Sequence, residues 1–142
     1  MNYTKINNLL GWLCGAIATI VYVLTTDRFN SWWDTGEFIA SAYKLEVVHQ
    51  PGAPLFLMIQ NLFSNLAAGD VSRIAFWMNV GSAVCSGLTI TFLFWTITAL
   101  ARKILIKDVL KIESFDLLKI FGAGVVGSLA YAFTDSFWYS AL

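Results

Sequence analysis

The sequence has few of the side chains that soluble enzymes use for chemistry. Only 13% of its 142 residues are charged and a single one is histidine, while 58% are hydrophobic. A soluble domain is typically nearer half apolar and a quarter charged, so this composition excludes an ordinary soluble protein and predicts a membrane protein. Basic and acidic residues balance at nine each. Because no dense basic tract is present, we predict no binding to nucleic acid.

Cysteine is also scarce, and its placement argues against a metal centre. Cys14 and Cys85 both fall inside apolar runs, without a neighbouring Cys or His at the spacing of metal ligands. We interpret both as packing residues. The sequence also has no Gly-rich phosphate loop and no Ser/His/Asp constellation. We therefore predict no metal and no cofactor.

Long apolar runs predict an all-α membrane protein with three transmembrane helices, at residues 9–26, 74–101 and 117–134. Each run can cross a hydrocarbon core of about 30 Å. A signal peptide is the alternative for the first run. Only Lys5 precedes that run and bulky residues end it, which favours an uncleaved helix. The third run contains Gly122, Gly124 and Gly127, small residues that favour close helix packing.

Basic residues directly after the second run set the predicted topology. Residues 102–116 contain Arg102, Lys103, Lys107 and Lys111, and such clusters remain in the cytoplasm. The N-terminus is then cytoplasmic, the 27–73 loop is outside, and the 135–142 tail is outside at the membrane surface. We expect the whole of 1–142 to form a single membrane module that is a fragment of a longer enzyme.

The outer loop contains two predicted amphipathic helices. Residues 36–48 suit a short helix, and residues 54–66 begin with proline, which is favourable in a first turn. The second segment carries an apolar stripe at helical spacing, formed by Leu55, Met58, Ile59, Leu62, Phe63 and Leu66. With about 13 residues it is too short to span, so we predict an interfacial helix. Residues 49–54, His-Gln-Pro-Gly-Ala-Pro, form a rigid elbow between the two helices.

Two carboxylates begin this loop, Asp34 and Glu37, beside Trp33. If a helix starts near Thr35, both lie in its first turn, where negative charge is favourable. These carboxylates then either cap the helix or include a general base that accepts the proton of a hydroxyl group. A single base suffices when the leaving group is a phosphate, whereas glycoside hydrolysis ordinarily needs an acid and a base.

The other polar residues in the loop, and one in the span that follows it, each have a structural and a functional interpretation. His49 is either a hydrogen-bonding elbow residue or a partner for phosphate. Arg73, like Arg28 and Lys44, could bind an anion or a lipid headgroup. Asn79 is costly to expose to lipid, so we expect it to hydrogen-bond to other helices.

These residues together resemble a family signature. The matching positions are Asp34-x-x-Glu37, His49-x-Pro51-Gly52-x-Pro54-Leu55, Arg73…Asn79…Ser82, and a Phe-Trp motif ending at Trp138. The pattern is similar to the N-terminal module of bacterial multi-spanning proteins related to protein O-mannosyltransferases. One departure is Gln50, where the family commonly has proline.

The resemblance implies the N-terminal part of a C-type glycosyltransferase-like polytopic fold in a bacterial inner membrane. Its donor would be a polyprenyl-phosphate-linked, mannose-like sugar, and its acceptor a Ser or Thr hydroxyl of an extracytoplasmic protein. Its partners would be membrane lipid and the remaining helices of the same longer chain. Asp34 would be the general base and Glu37 would position a substrate. The resemblance implies substrate-binding roles for His49, Arg73, Asn79, Trp33 and Trp138.

Two other functions remain open. The chain could be a non-catalytic membrane subunit or scaffold whose outer loop docks a partner. It could also be half of a transporter, but transporters place ionisable groups near mid-membrane. Here the charged residues lie outside the predicted spans except for Lys119, which is close to one end of the third span, and this placement disfavours that alternative.

Overall fold

A computed structural model describes residues 2–28, 34–106 and 114–141. Throughout these residues the secondary structure is helical, without a strand. The α-helices are α1 (Tyr3–Thr25), α2 (Thr35–Lys44), α3 (Pro54–Ser64), α4 (Ile74–Leu105), α5 (Ser114–Ala132) and α6 (Asp135–Ala141). Short 3₁₀ helices at Asn65–Ala67 and Val71–Arg73 connect α3 to α4. The predicted all-α class is confirmed.

In the described part of the chain, three helices, α1, α4 and α5, are long and apolar enough to cross a membrane, which agrees with the predicted number of transmembrane helices. The helices extend beyond the apolar runs that predicted them. Helix α1 begins at Tyr3, and α4 continues to Leu105. Arg102 and Lys103 lie in the last turn of α4, where the helix dipole favours positive charge. Hydropathy therefore marks the apolar part of each helix and misses its polar ends.

The chain divides into two compact units, and each is described separately. One unit, here the helix unit, comprises Met1–Val21 and Cys85–Ser140. The other, here the loop unit, comprises Tyr22–Val84 and Ala141–Leu142. The candidate residues Asp34, Glu37 and His49 belong to the loop unit, which holds α2 and α3.

Glycines allow close helix packing in the helix unit. A Cβ atom at Gly15 of α1 would collide with the hydroxyl of Thr91 on α4, and one at Gly87 of α4 would collide with the hydroxyl of Thr19 on α1. Gly124 and Gly127 of α5 are packed against α4 in the same way, as predicted, but a Cβ atom at Gly122 would meet no neighbouring atom, so the prediction is wrong for that residue. Such small residues let membrane helices approach each other closely.

An apolar core holds α2 and α3 against the beginning of α4 in the loop unit. Its buried members are Ala42, Val48, Leu57, Ala67, Ile74 and Met78. These residues come from all three helices and from their connections, so the burial of apolar area fixes the helices against one another. This core positions the start of α2 and the elbow that precedes α3.

Helix α3 exposes apolar side chains and buries polar ones. Leu55, Met58 and Leu62 of the predicted stripe are exposed, at 71%, 62% and 69% of their surface. Gln60 and Ser64 are buried instead. A helix in water shows the reverse arrangement. The exposed stripe therefore suits the apolar surroundings that the sequence predicted for this helix.

The sequence-based end of α2 is wrong. The pattern predicted a helix through Val48, but α2 ends at Lys44, and Leu45 adopts a left-handed conformation with φ 55°. The amide of Asn61 on α3 donates hydrogen bonds to the carbonyls of Ala42 at 2.9 Å and Tyr43 at 3.1 Å. Because a side chain from another helix satisfies these carbonyls, the chain can turn here and bring the elbow back toward the start of α2.

Candidate functional site

The two carboxylates lie at the start of α2, as their spacing predicted. Helix α2 begins at Thr35, so Asp34 occupies the N-cap position and Glu37 lies in the first turn. The Asp34 side chain makes no capping hydrogen bond. The Asp34 carboxylate is therefore not committed to the helix end, in contrast to the capping interpretation.

The elbow brings His49 back to these carboxylates. Its backbone N–H donates a hydrogen bond to Oε1 of Glu37 at 2.9 Å, and its ring Nδ1 lies 2.8 Å from Oε2 of the same residue. Gly52, which follows in the elbow, has φ +73°, a conformation that glycine adopts without steric cost. Both Glu37 oxygens are thus occupied by His49, which fixes the orientation of the imidazole ring.

The other ring nitrogen of His49 faces Asp34. Its Nε2 lies 3.8 Å from Oδ2 of Asp34, an ionic contact that is too long for a hydrogen bond. About half of each side chain is exposed, 52% for both His49 and Asp34. Asp34, Glu37 and His49, here the acidic triad, therefore form an accessible group in which Asp34 remains open to a ligand.

Contacts in the acidic triad shift the pKa values of Glu37 and His49. Hydrogen bonds from the backbone and ring of His49 lower the pKa of Glu37. The hydrogen bond to Glu37, and then the negative charge of Glu37, raise the pKa of His49. Each partner thus stabilises the charged form of the other, which favours an imidazolium beside Asp34.

A small cavity adjoins the acidic triad through Phe38. The ring of Phe38 packs edge-on against the His49 imidazole, with ring centres 6.0 Å apart, and it also lines the cavity. This space, here the Gln60 cavity, has a volume of about 50 Å³ and is lined by Thr35, Phe38, Ile39, Phe56, Gln60, Met78, Asn79 and Ser82. Hydrogen-bonding groups and aromatic walls thus meet next to the triad.

A larger cleft of about 440 Å³ contains two guanidinium groups. Its lining residues are Arg28, Ser72, Arg73, Phe76 and Trp77. Arg73 pairs with Asp70 at 3.3 Å, and both side chains are at least half exposed. Two cations beside aromatic rings suit an anionic ligand that carries an apolar chain.

Asn79 and Trp138, two further candidates from the sequence, make contacts within their own units. Asn79 lines the Gln60 cavity and donates a hydrogen bond to the carbonyl of Asp27 at 3.1 Å, so this structural hydrogen bond reaches the segment that follows α1, where we expected a helix as the partner. Trp138 belongs to the helix unit, where its ring packs against Phe133. Trp33 lies outside the described residues.

Gln60 and Asn61 are site residues that the sequence argument missed. Gln60 is 4% exposed and lines the cavity, and Asn61 closes the end of α2. The available signal was a pair of amide side chains on the polar side of a short apolar helix. Within the described ranges, no group of three His, Cys, Asp or Glu side chains, the acidic triad included, has the arrangement of a metal site.

Comparisons with known proteins identify relatives of this chain. Residues 34–142 match the family described as the protein O-mannosyl-transferase TMEM260 N-terminal domain. Protein O-mannosyl-transferase tmem260 of Dictyostelium discoideum is 29% identical over 56% of this chain and 10% of its own length. Protein O-mannosyl-transferase TMEM260 of Mus musculus is 30% identical over 64% of this chain and 13% of its own length. The search of solved structures gave no significant match.

Proposed function

Because the chain belongs to the family of the protein O-mannosyl-transferase TMEM260 N-terminal domain, we propose that it is part of a membrane glycosyltransferase. The enzyme transfers a mannose-like sugar from a polyprenyl-phosphate carrier to a Ser or Thr hydroxyl of an extracytoplasmic protein. The matched relatives carry the name protein O-mannosyl-transferase, which supports the sugar and the protein acceptor. The matched segment is a small fraction of their length, so the remaining helices of a longer chain complete the proposed enzyme.

The observation that carries the proposal is the position of Asp34. Its carboxylate is half exposed and free of a capping bond, beside a histidine that Glu37 holds in place. In the proposed step, Asp34 accepts the proton of the acceptor hydroxyl while the hydroxyl oxygen bonds to the anomeric carbon. The bond from that carbon to the phosphate oxygen breaks, the electron pair leaves with the phosphate, and the sugar configuration inverts.

The remaining candidates have supporting roles in this step. Both oxygens of Glu37 are bound by His49, so Glu37 is a positioning residue that acts through the imidazole. The raised pKa of His49 favours its cationic form, which offsets negative charge next to Asp34. Arg28 and Arg73 bind the phosphate in their cleft, whose aromatic walls accept the first part of the prenyl chain.

The proposal also covers the orientation of the helices in the membrane and the fold of the longer enzyme. Arg102 and Lys103 end α4, and their positive charge supports a cytoplasmic side for that end. The N-terminus is then cytoplasmic and the acidic triad is extracytoplasmic. The resemblance of the motif spacing supports a bacterial inner membrane and a C-type glycosyltransferase fold.

A transfer assay with the full-length protein in membranes tests this function. We expect labelled mannose from polyprenyl-phosphate mannose to appear on Ser or Thr of an extracytoplasmic protein, with an inverted anomeric linkage. A nucleotide-linked mannose should give no transfer when the lipid donor cannot form. Absence of transfer from the lipid donor would contradict the proposal and favour the scaffold, whose loop would then retain a partner protein without modifying it.

A further inference from the structure

The turn that ends α2 has a leucine at the position where helices usually have glycine. Leu45 follows the last residue of α2 and has φ 55° and ψ 42°, a left-handed conformation that is costly for a residue with a Cβ atom. Its N–H donates to the carbonyl of Ala42 at 3.4 Å, and the N–H of Glu46 donates to that of Ser41 at 2.8 Å. This is the hydrogen-bond pattern of a Schellman helix end, so the direction of the following chain depends on a strained residue.

Asn61 of α3 holds this turn from outside α2. Its Nδ2 donates to the carbonyl of Ala42 at 2.9 Å and to that of Tyr43 at 3.1 Å. Both carbonyls lie in the last turn of α2, where the regular N–H partner of the next helical turn is missing. The two bonds therefore favour the turn and offset the cost of the left-handed conformation of Leu45. A side chain from another helix thus does what a glycine would otherwise do.

The apolar core of the loop unit gives Asn61 a fixed position relative to the turn. Leu57, one turn earlier on α3, is a buried member of this core, and so are Ala42 and Val48. Val48 directly precedes His49 in the chain. The core therefore holds α3, the end of α2 and the segment up to the histidine against one another.

The chain reaches the acidic triad only four residues after the turn. From Leu45 to His49 it can extend by roughly 14 Å at most. The N–H of His49 then donates to Oε1 of Glu37 at 2.9 Å, and its ring Nδ1 lies 2.8 Å from Oε2. Because so short a segment keeps the direction in which it starts, the turn at Leu45 decides whether His49 meets Glu37.

We propose that Asn61 is a positioning residue of the acidic triad and that it acts through the turn at Leu45. This inference rests on the proposed glycosyltransferase function. Without the Asn61 amide the left-handed turn is less populated, and His49 leaves Glu37 in a larger fraction of the molecules. The groups around the proposed base Asp34 are then misplaced in that fraction, which slows the transfer step. The cleft proposed for the donor phosphate contains neither Asn61 nor the turn, so donor binding is unaffected.

Kinetics of the full-length membrane enzyme with polyprenyl-phosphate mannose test the inference. Asn61→Ala should lower kcat by about tenfold, the factor by which loss of two hydrogen bonds shifts the population of the turn. The KM for the donor should stay at the wild-type value. Asn65→Ala is the matched control, because the Asn65 side chain donates to a carbonyl of α3 itself, and it should keep the wild-type kcat.

A second substitution at the turn tests the mechanism and restores a variant that folds poorly. Glycine adopts the left-handed conformation without the steric cost. Leu45→Gly added to Asn61→Ala should therefore bring kcat back to near the wild-type value, although both amide bonds remain absent. A role of Asn61 elsewhere in α3 would give no such rescue.

His49→Gln separates the positioning effect from general destabilisation. Because Asn61 acts through His49, adding Asn61→Ala to His49→Gln should lower kcat little further, since effects within one contact network do not add. A wild-type kcat in Asn61→Ala, no rescue by Leu45→Gly, or a full additional loss in the His49→Gln background would overturn this inference alone. Absence of transfer by the wild type would instead overturn the proposed function, and this inference with it.

Discussion

His49 binds Glu37 twice, through a backbone hydrogen bond of 2.9 Å to Oε1 and a ring contact of 2.8 Å to Oε2. The two residues are twelve positions apart, so this contact closes the chain between α2 and the elbow. The second ring nitrogen then faces Asp34. One carboxylate thus positions the histidine, and the other carboxylate remains accessible.

The ionisation of His49 provides a direct test of this contact. Because Glu37 raises the pKa of His49, we expect NMR titration to give a value above the usual value of about 6.5. Glu37→Gln should lower that pKa toward the usual value. His49 is the chain's single histidine, so its ring signals can be assigned without ambiguity. Glu46→Gln is the control, since Glu46 pairs with Lys44, and an equal pKa shift in this control would contradict the contact.

The same pair predicts how local stability changes with pH. The folded pKa of His49 is raised, so its contribution is full below the unfolded value of about 6.5 and is lost as pH rises through the folded value. The folded pKa of Glu37 is lowered, so its contribution is present above about 4.3 and is lost as pH falls through the folded value. Hydrogen exchange at the His49 amide should therefore be slowest, after correction for intrinsic rates, at mildly acidic pH. Protection that does not change across this range would contradict the pairing.

Asn61 is expected to control the end of α2. Asn61→Ala removes the hydrogen bonds to the carbonyls of Ala42 and Tyr43. Because the Ala42 carbonyl keeps the backbone N–H of Leu45, we expect a cost of about 0.5–1.5 kcal/mol. Unfolding in detergent and hydrogen exchange in α2 measure this effect. The side chain of Asn65 donates a hydrogen bond to the carbonyl of Asn61, one turn earlier. Asn65→Ala should therefore have a smaller effect. Equal effects of the two variants would contradict the assigned role.

Arg28 and Arg73 are expected to determine donor binding. A charge-assisted hydrogen bond contributes about 1.5–3 kcal/mol, so Arg28→Gln and Arg73→Gln should each raise the KM for polyprenyl-phosphate mannose by about 10- to 100-fold. The kcat should change less. Lys44→Gln removes an exposed cation that is paired with Glu46, and it should leave KM unchanged. If Lys44→Gln raised KM as much as the arginine variants, the cleft would not be the phosphate site.

The sequence predicted the local and periodic features of the fold well. The apolar runs indicated the three long helices, and the stripe beginning at Leu55 indicated α3. The short spacing of Asp34 and Glu37 indicated two carboxylates at the start of α2, whereas the contact of His49 with Glu37 was not predicted. Each of these predictions depends on a repeat or a short spacing along the chain.

Features that depend on contacts between elements were not predictable in this way. The end of α2 at Lys44 depends on Asn61, which is distant in sequence and whose side-chain direction follows from the packing of α3. The buried amide of Gln60 depends on close packing at Gly81. The grouping of Arg28 with Arg73 depends on how the chain returns to α4. These contacts form only when the loop unit folds, and no periodic pattern in the sequence indicates them.

The most direct test of the account is transfer by Asp34→Asn in the full-length protein. The asparagine keeps the shape of the side chain but cannot accept the hydroxyl proton, and loss of a general base typically costs 10²- to 10⁴-fold in rate. Transfer of labelled mannose from polyprenyl-phosphate mannose should fall by about that factor, with normal protein level and donor binding, while Glu46→Gln remains active. Transfer by Asp34→Asn at the wild-type rate would contradict the assignment of Asp34 as the base.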